Sequence, residues 1–132
     1  MQMISDKDKL LAIIYRNNDW VEGLNFITPD SLFIQVGSWW YQKGTKLAAH
    51  LHKEYERVIS RTHELVYVKR GSMKLLLYSE SKEFKEEVIL YAGDLAVLVE
   101  GGHGYEILED DTQILEAKSG PFIDVEKDKE KF

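Results

Sequence analysis

Three of the four histidines, His50, His52 and His63, fall within fourteen residues, and the fourth sits in Gly101-Gly102-His103-Gly104. Imidazole carries protons near neutral pH and binds divalent metals. His50 and His52 are separated only by Leu51. On a strand, alternate side chains share a face, which places these two rings about 7 Å apart and able to converge on one metal ion. Glu64 opens Glu64-Leu65-Val66-Tyr67-Val68 and shares a strand face with the two valines. If that face is interior, the carboxylate is costly unless a metal or an imidazolium meets it. His103 follows two glycines, which let a backbone approach a bound group closely. Tyr105 shares a face with His103 and is a candidate proton donor. Arg57 and Arg61 lie between the histidine pair and Glu64, where either could clamp an anionic substrate. Glu56 is an alternative ligand to Glu64, and His63 should point away from the Glu64 face. Histidines on strands are also ordinary surface residues, so the pair alone decides little.

Strands must position these groups. Short apolar segments rich in branched and aromatic residues recur between turn formers, which predicts an all-β sandwich or barrel. The expected strands cover 10–16, 24–28, 32–41, 46–52, 64–71, 72–79, 85–91, 94–100, 104–110 and 112–120. Asn17-Asn18-Asp19, Thr28-Pro29-Asp30 and Asp110-Asp111 read as turns. Gly71-Ser72 reads as a tight hairpin. Residues 51–60 are the best helix candidate, with a loop equally compatible. Of Trp39 and Trp40, one is expected in the core, while the other, with Trp20, could cover a subunit contact. Glu116 and Lys118 read as a surface salt-bridge face, and the charged tail 123–132 as a solvated end.

The 132 residues fit a single domain, with no internal repeat or linker. A chain of this length buries enough surface to fold without a disulfide or structural metal. Absence of cysteine excludes thiolate ligands and cysteine nucleophiles. A net charge of -6, with acids interleaved among the bases, argues against nucleic acid as partner. No apolar run approaches a membrane span, and the first residues lack a signal-peptide pattern. A cytoplasmic location is the expectation. No P-loop, GxSxG or dinucleotide fingerprint is present.

Gly44, His50, His52, Glu64 and Gly71, followed by Gly93, Gly101 and His103, resemble the two motifs of the cupin superfamily. The chain departs from them in four ways. Eleven residues separate His52 from Glu64, more than the family's usual spacing; Val99 and Ile107 stand where a proline and an asparagine are usual, and the spacing before His103 is one residue shorter. The resemblance covers residues 33–118 or so. It is closer still to small, uncharacterised single-domain prokaryotic cupins. That likeness rests on Arg57 and Arg61 in the insertion, Thr62-His63-Glu64, Gly101-Gly102-His103-Gly104 and Glu116-Ala117-Lys118-Ser119-Gly120-Pro121-Phe122.

The resemblance implies a double-stranded β-helix, the cupin jelly roll, with short N-terminal strands. It implies one divalent metal, Fe, Mn, Ni, Co or Zn, held by His50, His52, Glu64 and His103. The leading expectation is a metal-binding cupin acting on a small molecule, such as a carbohydrate or small organic acid. One alternative is a non-catalytic small-ligand sensor. Another is a metal-free sugar isomerase or epimerase, in which a histidine and Tyr105 move protons. A homodimer is expected by analogy and because an open sheet edge needs cover.

Overall fold

The computed structural model describes every residue but Ile123, and the side chains of all but Val125 and Lys127 among the rest. The described chain is all-β. Its strands are β1 (Gln2–Asp6), β2 (Lys9–Tyr15), β3 (Gly23–Phe26), β4 (Gly37–Trp40), β5 (Glu64–Arg70), β6 (Ser72–Tyr78), β7 (Phe84–Tyr91), β8 (Leu95–Leu98), β9 (Gly102–Ile107) and β10 (Gln113–Lys118). One helical turn, α1 (Val125–Asp128), lies in the tail.

The strands form three antiparallel sheets. One has five strands in the order β1-β2-β8-β5-β10, one has three in the order β7-β6-β9, and β3 pairs with β4 as a ribbon. From β5 onward the chain passes back and forth between the two larger sheets. Alternation explains which residues meet. Val66 and Val68 of β5 and Ala96 and Leu98 of β8 pack against Met73, Leu75 and Leu77 of β6 and Val88 and Leu90 of β7. The opposite face of the five-stranded sheet carries Ile13, Tyr15, Leu95 and Val97. Ile27, Leu32, Ile34 and Val36 from the β3–β4 connection cover it. Strands β2 and β8 are thus buried on both faces, which is why they read as continuous apolar runs.

Several expectations need correction. Residues 46–52 form no strand and 51–60 no helix; from 41 to 62 the chain has neither, and every residue is exposed. The alternating pattern of 46–52 has no sheet edge paired to it, and a strand exists only through its partner's hydrogen bonds. The outer edge of β9 is correspondingly free of any strand among the described residues. The two larger sheets therefore form an open sandwich, not a closed barrel.

Gly71-Ser72 is not a hairpin, because β5 and β6 belong to different sheets. The chain turns a corner there with Gly71 at φ 76°, and a Cβ at that position would collide with Thr112. Neither Trp39 nor Trp40 is in the core, at 55% and 48% exposure. The β3–β4 ribbon turns Ser38 inward instead, within 3.0 Å of the Tyr15 hydroxyl. Strand β1 is an addition to the expected set. It pairs with β2 through a turn at Lys7, whose φ is 57°.

Candidate functional site

Glu64 lies at the first position of β5, on the face that buries Val66 and Val68. The carboxylate thus sits inside the sandwich, as the alternation implied, and is only 4% exposed. Across the gap, β9 turns His103 and Tyr105 toward it, their rings 5.4 Å apart. The Tyr105 hydroxyl donates to Glu64 Oε1 at 2.7 Å. His103 Nε2 lies 3.6 Å from the same oxygen. A hydrogen bond to a charged partner contributes roughly 1.5–3 kcal/mol, enough to offset part of the cost of burying Glu64.

These three side chains line a cavity of about 1190 Å³ at one end of the sandwich. Arg61 and Tyr78 are on its wall, and the tail from Asp128 to Phe132 borders it. Thr62 Oγ1 donates to Asp128 Oδ1 at 3.0 Å, Lys82 Nζ lies 2.6 Å from Glu130, and Phe132 stands edge-on to Tyr78 at 5.1 Å. The tail is thus folded against the body and not solvated throughout.

Gly101, with φ at 71°, serves the fold here: a Cβ would strike the Tyr78 carbonyl. Its close approach is to backbone.

The electrostatics separate the roles. Burial lowers the His103 pKa below its ordinary value, with Glu64 opposing that shift. The imidazole is therefore neutral at pH 7 and presents a lone pair. Burial first, and the Glu64 hydrogen bond second, push the Tyr105 phenol above its ordinary value, so it keeps its proton. The residue as a whole remains 40% exposed while its hydroxyl bonds Glu64. One neutral base, one carboxylate and one proton donor therefore share a cavity, an arrangement suited to holding a polar ligand and moving a proton.

Not every expected residue is here. His50 and His52 lie together, rings 5.0 Å apart, but on the exposed 41–62 segment. Glu56 and Arg57 share that segment, with Arg57 stacked over Tyr55 at 5.5 Å. Arg61 reaches the cavity rim, where Glu80 at 2.8 Å and Glu100 at 3.3 Å engage it. Glu64 and His103 provide one carboxylate and one neutral imidazole, both of kinds that divalent transition metals take. Among the described residues, no three histidine, aspartate or glutamate side chains converge closely enough to hold a metal.

The surface salt-bridge face read from the sequence at Glu116 and Lys118 is present, the two pairing at 3.0 Å. Lys118 is the register partner of Glu64 and Glu116 that of Val66, so the pair continues the Glu64 face where that face opens to solvent, with the Glu116 side chain 44% exposed. Lys118 holds the Glu116 carboxyl below its usual range. The available signal for that face was Ile114, which has the same parity as Glu116 and Lys118 and packs on the core. His63 is buried, as its position opposite the Glu64 face allows, and its Nδ1 has no hydrogen-bond partner among the described residues. Its ring lies 5.9 Å from Phe33, and burial lowers its pKa.

A second concavity, of about 690 Å³, adjoins Asp94. Asp94 is engaged there by Arg16 at 2.8 Å and by the Asn17 and Tyr91 amides at 2.9 and 3.1 Å, so it clasps the fold. No helix among the described residues is long and apolar enough to cross a membrane. No protein-family model, curated protein or solved structure matches the chain.

Proposed function

We propose that this chain binds and acts on a small polar molecule, a carbohydrate or small organic acid, in the cavity around Glu64. In this reading it is a cupin-type jelly roll with one divalent metal. The observation that carries it is the buried Glu64 carboxylate, met by Tyr105 at 2.7 Å and His103 at 3.6 Å inside a cavity of about 1190 Å³. The way β5 to β10 are shared between two facing sheets supports the jelly roll, as does the free outer edge of β9. Residues 46–52 have the alternation to fill that edge.

Glu64 and His103 would hold the metal, with His50 and His52 completing the set once the 41–62 segment docks. Fe, Mn, Ni, Co and Zn all suit such donors. When bound, the metal supplies a Lewis acid that polarises a substrate oxygen. The chain's own groups do the rest. Glu64 fixes the Tyr105 hydroxyl, and the protonated phenol faces the cavity as a proton donor. The wall of Tyr78, with Phe132 against it, presents an aromatic surface to the ligand.

The test is elemental analysis of untagged protein beside His103→Ala and His50→Ala/His52→Ala. The reading expects about one metal per chain and its loss in both variants. Protein that takes up no metal after reconstitution would rule it out.

A second reading drops the metal and treats Tyr105, Glu64 and His103 as an acid–base set for a sugar isomerase or epimerase. The 2.7 Å Tyr105–Glu64 bond favours it, because that contact stands without a metal. Activity that survives a chelator would select this reading. Tight ligand binding with no product would select a sensor.

A further inference from the structure

Residues 41–62 pose a packing problem. All twenty-two are exposed, and they include Leu47, Leu51, Tyr55, Val58 and Ile59. Flexible linkers are rich in glycine and serine; this segment has one of each. Structureless connections of this length are uncommon in compact domains and are usually functional or disordered. The segment leaves the ribbon after Trp40, and at its far end His63 is anchored to Ser119 by mutual contacts of 3.0 Å.

A matching vacancy exists on the body. Among the described residues no strand pairs with the outer edge of β9, and such an edge templates a further strand. Exposed Ile107 stands on it and exposed Leu115 on β10, one of the two edge strands of the five-stranded sheet. Charge separates the two surfaces. Residues 41–62 carry five lysines or arginines and two glutamates, a balance of +3; with a total of -6, the rest of the chain holds -9. Around the β9–β10 connection the acids include Glu106, Glu109, Asp110 and Asp111.

We infer that residues 43–60 of one copy of this chain dock on the β9 edge of a second copy, reciprocally, while Arg61 and Thr62 stay on Glu80, Glu100 and Asp128 of their own chain. Each site then combines His50 and His52 from one chain with Glu64 and His103 from the other. The docking rests on exposure, the free edge and charge; the shared site rests in addition on the proposed metal. Strand addition supplies main-chain hydrogen bonds, alternate side chains supply the fit, and exchange of identical segments gives a closed two-fold dimer. Charge complementarity favours this chain as its own partner, because an acidic body attracts a basic segment.

The chain has no cysteine, so labels can be placed at will. The Leu51→Cys/Ile107→Cys variant is treated with a short bis-maleimide, with each single variant as control. Docking between chains predicts a dimer-mass band from the double variant well above both controls. Linkage within one chain, or a monomer by light scattering at every concentration, overturns the inference.

Metal content gives an independent arm. His50→Ala/His52→Ala protein is refolded together with Glu64→Gln/His103→Ala protein. Random pairing then restores metal to about a quarter of the sites if the segments are exchanged. None is restored if each site belongs to one chain. If wild-type protein takes up no metal, the proposed metal site fails, and the cross-link alone decides the docking.

Discussion

Strand β8 and the 41–62 segment use similar apolar residues and end in opposite environments. Val97 is 0% exposed, covered on its face by the 27–36 connection, while Leu51 is 94% exposed. Both stretches carry apolar side chains at strand-like spacing. The difference is whether a partner surface is already in place. Strand β8 has β2 and β5 beside it and side chains packed above and below. The segment has an alternating pattern, and among the described residues no strand pairs with it; only its ends, at Gln42, Arg61 and Thr62, touch the body. Apolar pattern states what a stretch can bury; topology decides whether it does.

The sharpest way to break this contrast is truncation. Leu75→Ala should cost about 2–5 kcal/mol in denaturant unfolding, because it leaves a cavity between the sheets. Leu51→Ala, in protein dilute enough to be monomeric, should change stability by less than about 0.5 kcal/mol. A large Leu51 effect in the monomer would mean that the segment packs on its own chain.

Tyr105→Phe comes next. It removes the donor to a buried carboxylate, and denaturant unfolding should register a loss of about 1.5–3 kcal/mol. No loss would mean that Glu64 is satisfied by other partners. The smallest effect is expected at His63. His63→Phe removes a buried nitrogen beside Phe33 with no partner among the described residues, and thermal unfolding should rise by the equivalent of about 1 kcal/mol. A fall would mean that the nitrogen does have a partner.

Much of the body was legible in the sequence because period-2 patterning and turn chemistry act locally. The β5 alternation put Glu64 among buried valines, and the His103–Tyr105 pairing on one face followed from their spacing. What was not legible depended on distant partners. Gly71 looks the same in a hairpin and in a corner between sheets; Thr112 packed against it decides which. Glu116 and Lys118 read as a surface salt-bridge face and form one, but their register with Val66 and Glu64, which places the pair at the open end of the Glu64 face, was set by a distant strand. Phe132, the apolar residue at the end of a charged tail, was the sign that the tail would pack, against Tyr78. The 46–52 pattern was read correctly as alternation but wrongly as a formed strand, since alternation does not supply the edge.

The central claim is that His50 and His52 join Glu64 and His103 around one metal. Selective nitrogen labelling of the four histidines, followed by NMR during addition of paramagnetic cobalt or manganese, tests it most directly. The account predicts that His50, His52 and His103 respond together and saturate at one equivalent, while His63, buried against Phe33 just before β5, responds less. Response from His103 alone, or from none of the four, would contradict it.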